Sequence, residues 1–364
     1  MESVKRFFND QRPLSSVPIE FDEHEAELIL EGYQPRDNKD RTKDVLSSFL
    51  RFLPGEGRTA LADFIVTTGQ DHETLHALSQ HLKTTLLIPM RARGATPPIS
   101  PTSFRMEKEV QEVAATMDEP ASRKDQRRLK KLCLERDGHR CLATGAIDIN
   151  AEIPEADTEY VVPTDLCHII PFSLRRWEKS EDYQITQIWA TLKKLFPQIQ
   201  LRPEDVNDPT NLITLASPLH AAFYSFTLAF EPTVGRPSHV SQLADDTNCF
   251  VHQGEPNQYQ ILLLGKRRNL LIQFLFRAPQ GGPDGSRLVT FERHGGATIE
   301  LPSPALLRMH SALAKILHAS GMAKYIEDLV RGEEDIGCLA EGGTTNLEDL
   351  VLLRMLKSRC EWVN

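Results

Sequence analysis

Two stretches near the middle of the chain decide its fold: LCHIIPFSL at residues 166–174 and NLITLASPLHAAF at residues 211–223. The first is a short apolar run that is stopped by Pro171, because proline cannot donate to a strand ladder. The second begins with Asn211 and carries His220 nine residues later. We expect His220 to lie in the first turns of a helix. The two stretches therefore predict a strand, a second strand and then a helix.

A third motif, RCLATG at residues 140–145, precedes these stretches. In this order and spacing the three motifs resemble the HNH nuclease superfamily, and they are most similar to the branch that is common in fungal proteins. The resemblance covers roughly residues 140–232 of the 364. It implies a central ββα-metal module, and it implies a metal-dependent endonuclease that hydrolyses phosphodiester bonds in nucleic acid, with DNA as the expected substrate.

The chemistry of phosphodiester hydrolysis explains these residue types. The reaction needs a base for water, a cation that neutralises charge on the phosphate, and groups that hold both in place. His168 suits the base, because an imidazole pKa of about 6.5 lies near working pH. Asn211 would fix and polarise that imidazole, and His220 would ligate the metal. The cofactor is a divalent ion, with Mg²⁺, Mn²⁺, Ni²⁺ and Zn²⁺ left open.

The residue before the catalytic histidine departs from the family pattern. That residue is commonly Asp or His and ligates the metal, whereas here it is Cys167. A thiolate is a poor ligand for Mg²⁺ and a good one for softer cations, so either the metal is soft or Cys167 is structural. Asp165 lies two residues earlier, on the same strand face, and could supply an oxygen ligand directly or through water.

The zinc-binding cysteine pairs of many HNH proteins are also incomplete here. Cys141 is paired with Thr144, and the second pair is replaced by Ala216 and Leu219. One thiol cannot close a tetrahedral zinc site, so an apolar core is the expected replacement.

Two other functions stay open beside the nuclease. The first is a degenerate HNH module that binds nucleic acid or protein without cleaving it. Each histidine, taken by itself, is more typical of a core residue whose hydrogen bonds are made within the protein. The second is peptide hydrolysis, because HETLH at residues 72–76 matches the zinc-binding HExxH pattern. A third ligand is missing from residues 77–106, which contain no Asp or Glu, so the peptidase hypothesis is disfavoured.

A basic segment precedes the motifs. Residues 123–140 hold eight basic and three acidic side chains, a local charge of +5. The segment predicts a helix to about Arg136 that contacts the nucleic-acid backbone, with a solvated helix face as the alternative. The expected contact residues are Arg123, Lys124, Arg127, Arg128, Lys130 and Lys131 on this helix, together with Arg175 and Arg176 beyond the histidine motif.

The composition excludes several classes of protein. A net charge of −9 argues against a protein that coats nucleic acid through bulk positive charge. Six cysteines without a CxxC pair argue against a disulfide scaffold. No apolar stretch is long enough for a membrane helix and no secretory signal is evident, so we expect an intracellular protein, nuclear or cytoplasmic. The sequence leaves the oligomeric state open.

The distribution of apolar and turn residues predicts an α+β protein with three regions. Residues 1–120 form a helical region with segments near 22–32, 41–53, 57–68 and 72–88, followed by the HNH module at 121–235. Residues 236–364 form an α+β region. Its expected strands lie at 259–264, 270–276, 288–292 and 298–301, and its expected helices at 303–319, 322–331 and 346–358.

An amphipathic helix is expected within the long insertion between the two central strands, over about residues 185–199. Its apolar face is predicted to pack against the C-terminal region, with a partner surface as the alternative.

Overall fold

The computed structural model describes residues 2–9, 23–91, 121–151, 160–174, 183–233, 256–265 and 287–335. Over these residues the protein is a mixture of helices and small sheets of two or three strands, consistent with the α+β prediction. The predicted strand at 270–276, the helix at 346–358 and the side chains of Arg175 and Arg176 lie outside the described residues.

The N-terminal region is helical, as its periodicity predicted. Its helices are α1 (Glu2–Asn9), α2 (Glu23–Glu31), α3 (Thr42–Phe52), α4 (Gly55–Thr68), α5 (His72–Leu82) and α6 (Ile88–Arg91), with a π-helical turn at Lys83–Leu87 between the last two. Asp71 caps α5 by accepting bonds from the backbone N–H groups of Glu73 and Thr74. Leucines at helical spacing along α5 and the π-turn are fully buried against the neighbouring helices.

The central region contains the elements that position the site. They are α7 (Ala121–Arg136), β1 (Ile147–Asp148), β2 (Val161–Val162), β3 (Thr164–His168), α8 (Tyr183–Leu195), β4 (Leu212–Ala216) and α9 (Ser217–Tyr224). Strand β3 pairs antiparallel with β4, and β1 pairs parallel with β2. Helix α9 begins directly after β4, and both α7 and α9 pack on the β3–β4 pair.

The C-terminal elements form a three-stranded antiparallel sheet and two helices. The strands are β5 (Leu228–Pro232), β6 (Gln258–Leu263) and β7 (Arg287–Thr290), in that order across the sheet. Helix α10 (Pro304–Ala319) begins after Ser303, packs on β5 and reaches α3, and α11 (Met322–Asp335) follows it.

The predicted strand at residues 298–301 is wrong. These residues have no ladder partner in the described structure, because a side chain takes one of their backbone acceptors. Arg136 is fully buried beside Asp137 and donates to the carbonyl oxygens of Glu300, Pro209 and Leu212, each at 3.0 Å. This one guanidinium joins α7 to the start of β4 and to the chain that leads into α10.

The insertion helix α8 is core, but its partners differ from those predicted. It packs against α1, α4 and the π-turn of the N-terminal region rather than against the C-terminal region. Ile188, Leu192 and Leu195 are at most 1% exposed. Thr191 on α8 also bonds the ring of His81 on α5 at 2.8 Å.

A single cluster of buried side chains includes residues from all three predicted regions. The division at residues 120 and 235 therefore stays a prediction about the sequence. Among the described helices, none is both long and apolar enough to span a lipid bilayer.

Candidate active site

The β3–β4 strand pair sets the positions of the predicted site residues. In the antiparallel register His168 lies opposite Leu212, and Asp165 lies opposite Leu215. The start of β3 is held by Asp148, which accepts a bond from the Thr164 backbone N–H at 3.1 Å. Lys130 on α7 donates to the Thr164 carbonyl oxygen at 2.8 Å. His168 therefore ends a strand whose beginning is fixed on both sides.

Asn211 fixes the chain directly after His168. Its side-chain oxygen accepts from the Ile170 N–H at 2.8 Å, and its amide nitrogen donates to the Ile170 and Val206 carbonyl oxygens at 3.0 and 2.8 Å. These bonds use the whole amide of a fully buried residue. The sequence predicted that Asn211 would polarise the imidazole of His168. The structure corrects this: the amide holds the backbone beyond the histidine.

The imidazole of His168 bonds a different asparagine. Its Nε2 lies 2.9 Å from Oδ1 of Asn207, so the ring donates through Nε2. A neutral imidazole then keeps its lone pair on Nδ1, and this atom is buried without a hydrogen-bond partner in the described structure. Burial, only partly offset by the Asn207 bond and reinforced by the charge of His220, lowers the pKa of His168 to about 4. The ring is therefore neutral near pH 7 with its lone pair on Nδ1, and it is a weaker base than the ordinary imidazole that the sequence led us to expect.

His220 uses its two ring nitrogens in the opposite way to His168. Its Nδ1 lies 3.3 Å from Oδ2 of Asp165, and a carboxylate oxygen can only accept, so the ring donates through Nδ1. The lone pair is then on Nε2, which is buried and has no partner among the described residues. A carboxylate behind a histidine in this way is the usual support of a metal-ligating imidazole.

Asp165 is ionised at neutral pH despite its burial. Burial by itself would raise its pKa, but hydrogen bonds from His220 and Ser217 and the charges of His220 and Lys130 hold the pKa below its ordinary value. An ionised carboxylate is the form that orients and polarises the ring of His220.

Cys167 lies between these residues and is fully buried. Burial, together with the neighbouring charges of Asp165 and Cys141, raises the pKa of its thiol well above the ordinary value. The thiolate is the form that ligates metals, so a protonated buried thiol favours the structural role that the sequence left open for Cys167.

The RCLATG motif forms a tight turn against the end of β4. Gly145 donates to the Cys141 carbonyl oxygen at 2.8 Å with a φ of 72°, a conformation that glycine adopts without strain. The Cys141 sulfur accepts from the Ala216 N–H at 3.2 Å. The three sequence motifs thus meet in one unit built on the β3–β4 pair.

Comparison with known proteins identifies this unit. The family model described as HNH endonuclease matches residues 141–231. This segment is an HNH domain. Neither the curated proteins nor the solved structures give a match to the chain.

The side chains of the HNH domain fit a divalent cation only if other molecules supply some of its ligands. Within the described residues, no three His, Cys, Asp or Glu side chains are grouped so that they could hold a metal ion. The donor best prepared for a cation is Nε2 of His220, backed by Asp165. Water and phosphate oxygens would complete its coordination, as they commonly do for Mg²⁺.

The basic helix α7 lies against the same strand pair as the HNH site. Arg127, Arg128 and Lys131 are exposed along it. Lys130 differs, because its ammonium is already bonded to the carbonyl oxygen of Thr164. The side chains of Arg123 and Lys124 lie outside the described residues.

One site residue was missed by the sequence reasoning, and one motif was not a site. Asn207 carries no motif of its own, and only its position four residues before Asn211 could have pointed to it. In HETLH, Nδ1 of His72 lies 3.4 Å from the backbone nitrogen of Gln34, and Nδ1 of His76 lies 3.0 Å from the Thr42 hydroxyl. These two histidines hold the turn between α2 and α3.

Proposed function

We propose that the HNH domain is a metal-dependent endonuclease that hydrolyses phosphodiester bonds in DNA. One observation carries the proposal: two buried histidines each give one ring nitrogen to a neighbour and keep a lone pair on the other. A buried polar atom without a partner costs free energy. The core histidine His310 also has an unpaired Nδ1, so the feature that distinguishes His168 and His220 is their position together on β3 and α9 of the HNH domain. A base and a metal ligand each need one free lone pair.

In the proposed reaction His168 is the general base. Its Nδ1 takes a proton from water, the water oxygen attacks the phosphorus, and the bond from phosphorus to the leaving oxygen breaks; this oxygen leaves with the electron pair and takes a proton from solvent water. Asn207 holds the proton on Nε2 and so keeps Nδ1 in the accepting form. Asn211 positions the chain beyond His168, and it acts on the backbone rather than on the reacting atoms.

His220 would hold the divalent cation through Nε2, with Asp165 orienting its ring. When bound, the cation supplies charge neutralisation at the phosphate and at the leaving oxygen. A direct ligand role for Asp165 is the alternative that the sequence raised, and it is separated from the orienting role by a variant described in the Discussion.

The exposed cations Arg127, Arg128 and Lys131 on α7 would contact the nucleic-acid backbone. Such contacts position a substrate but read no sequence, so cleavage without strong sequence preference is expected. They also supply a local positive surface on a chain whose net charge is −9.

Nicking of supercoiled plasmid by the full chain tests the proposal. Mg²⁺, Mn²⁺, Ni²⁺ and Zn²⁺ are supplied in turn, with an RNA hairpin as a parallel substrate. We expect cleavage to be abolished in His168→Ala and His220→Ala and retained in His294→Ala, which changes an exposed histidine outside the site. Equal cleavage by the wild type and His168→Ala would show that the base is misassigned.

A binding module without catalysis is the second candidate. It is favoured by the burial of both lone-pair nitrogens and by the incomplete ligand set among the described residues. DNA that is bound but not cleaved with any of the four metals would support the binding module over the nuclease.

A further inference from the structure

A cavity lies outside the HNH domain, between the turn that joins α2 to α3, helix α5 and helix α11. Its volume is about 630 Å³, a size typical of small-molecule sites. The lining residues come from these elements and from the π-turn: Arg36, Asp37, Asn38, Lys39, Asp40, Arg41, Val45, His76, Ser79, Gln80, Lys83, Met322 and Tyr325.

The lining is basic although the surrounding region is acidic. Four cations, Arg36, Lys39, Arg41 and Lys83, face two carboxylates, and the difference is +2. Residues 1–120 as a whole carry 14 basic and 20 acidic side chains, a charge of −6. The cavity therefore concentrates positive charge against the trend of the region.

One of the two carboxylates is already used inside the protein. Asp40 accepts from the Tyr33 hydroxyl at 2.7 Å and from the backbone N–H groups of Arg36 and Thr42, both at 2.9 Å. These donors outweigh the effect of burial and hold the pKa of Asp40 well below its ordinary value. The carboxylate that shapes the turn is thus fixed by its neighbours. At the rim, Arg36 pairs with Glu73, and Arg41 pairs with Asp44 at 3.8 Å.

The two lysines of the lining, Lys39 and Lys83, differ in how far they are buried. Lys39 is exposed, and its ammonium makes no ion pair or hydrogen bond in the described part of the chain. Lys83 is only 9% exposed and its ammonium lies 5.8 Å from the centre of the Tyr325 ring. Lys83 also begins the π-helical turn, a rare irregularity that is frequent at functional sites.

Part of the lining is apolar. Val45 and Met322 are buried and line the cavity together with Tyr325, so they give it a surface for an uncharged body. We propose that this cavity binds a small phosphate-bearing molecule of nucleotide size. A phosphate monoester carries about −1.5 to −2 charges at pH 7, and the cations of the lining have the opposite sign. Arginine and lysine are the side chains that recognise phosphate.

Calorimetric titration of the full chain with three probes tests the proposal. The probes are 5′-AMP, inorganic phosphate and adenosine. We expect 5′-AMP to bind at least about tenfold more tightly than adenosine, because only the nucleotide brings the anion. Equal affinity for 5′-AMP and adenosine would overturn the phosphate assignment, as would a wild-type protein that binds neither 5′-AMP nor phosphate at about 1 mM.

A matched pair of charge reversals locates the binding site. Lys39→Glu changes an exposed cation of the cavity, whereas Lys43→Glu makes the same change on the exposed part of α3 outside it. We expect Lys39→Glu to weaken 5′-AMP binding by about tenfold or more and Lys43→Glu to leave it nearly unchanged. Equal effects in both variants would assign the binding to general surface charge and reject the cavity. DNA cleavage is not a readout here, so this result is independent of the nuclease proposal.

Discussion

Asn207 and Asp165 decide which nitrogen of each site histidine carries the proton. Asn207 accepts from Nε2 of His168, and Asp165 accepts from Nδ1 of His220. The two rings therefore keep lone pairs on opposite nitrogens, although a histidine side chain has no preference of its own strong enough to fix this. Neither partner is adjacent in sequence to the ring that it bonds.

Removal of the Asn207 side chain tests the first of these hydrogen bonds. Asn207→Leu cannot accept from Nε2, so the proton of His168 is expected to redistribute between the two ring nitrogens. Plasmid nicking should fall by roughly 100-fold, the lower end of what a positioned general base contributes. Nitrogen NMR of the labelled imidazole measures the tautomer directly. An unchanged tautomer with unchanged cleavage would contradict the assigned role.

Asp165→Asn separates an orienting residue from a ligand. The asparagine oxygen can still accept from Nδ1 of His220, but the negative charge is removed. If Asp165 orients the ring, metal affinity should fall by about 10- to 100-fold and saturating metal should restore cleavage. If Asp165 ligates the cation, saturating metal should not restore it. Titration of Mn²⁺ against nicking rate distinguishes the two.

At the scale of elements, helix α7 carries its cations on two different faces. Lys130 and Arg136 point into the protein and bond carbonyl oxygens of β3 and of the chain beside β4. Arg127, Arg128 and Lys131 remain exposed. The shared apolar face of Leu129, Leu132 and Cys133 predicted the helix, but it did not show which of the cations were already bonded within the protein.

The exposed face of α7 is expected to control nucleic-acid affinity. Changing Arg127, Arg128 and Lys131 together to Glu should weaken DNA binding and reduce the slope of log K against log salt by about 0.9 for each phosphate that is no longer neutralised. Fluorescence anisotropy over a salt series measures both quantities. The matched control is Lys43→Glu on α3, which should change neither. A triple variant with the wild-type slope would mean that α7 is a solvated face.

The packing of α8 shows what the sequence pattern of a single element cannot predict. Its apolar spacing predicted both the helix and a buried face, and both are present. The pattern contains no information on which partner covers that face, and the structure places N-terminal helices there. The strand expected at 298–301 failed for a related reason, because Arg136 from α7 takes the carbonyl oxygen of Glu300.

At the scale of the whole molecule, buried histidines bind the regions together and make stability depend on pH. His310 on α10 stacks between Phe223 and Phe226, with ring centres 3.8 and 4.3 Å away. Its Nε2 lies 3.2 Å from the Phe223 carbonyl oxygen. Burial, only partly offset by that bond, lowers the pKa of His310 to about 3.

This lowered pKa predicts a decrease of stability in mild acid. The unfolded chain binds the proton near pH 6.5 and the folded chain only near pH 3, so the stabilisation is complete above pH 6.5 and disappears as the pH falls toward 3. His310 alone should reduce the free energy of unfolding by about 2 kcal/mol between pH 7 and pH 5.

Urea unfolding of His310→Gln at the two pH values measures this contribution. The variant cannot ionise, so its stability should fall by about 2 kcal/mol less than that of the wild type over the same interval. His294→Gln, on an exposed residue, is the control and should keep the wild-type dependence. An identical fall in His310→Gln and the wild type would place the acid sensitivity elsewhere.

The sequence by itself determined the helices of the N-terminal region, the α+β class and the HNH motifs with His168 and His220. These features depend on local spacing, on apolar periodicity and on the order of short motifs, all of which can be read along the chain. The match of residues 141–231 to the HNH endonuclease family rests on the same local information.

Only the tertiary structure decided which atoms of those residues are free to act. Asn207 lies 39 residues from His168, and Asp165 lies 55 residues from His220. The engagement of Lys130, the burial of the Cys167 thiol and the backbone role of Asn211 are likewise set by interactions between distant segments. The tautomer of a histidine, the pKa of a thiol and the bonding of a lysine all depend on a neighbouring partner and on the exclusion of water. These two conditions exist only after the chain has folded.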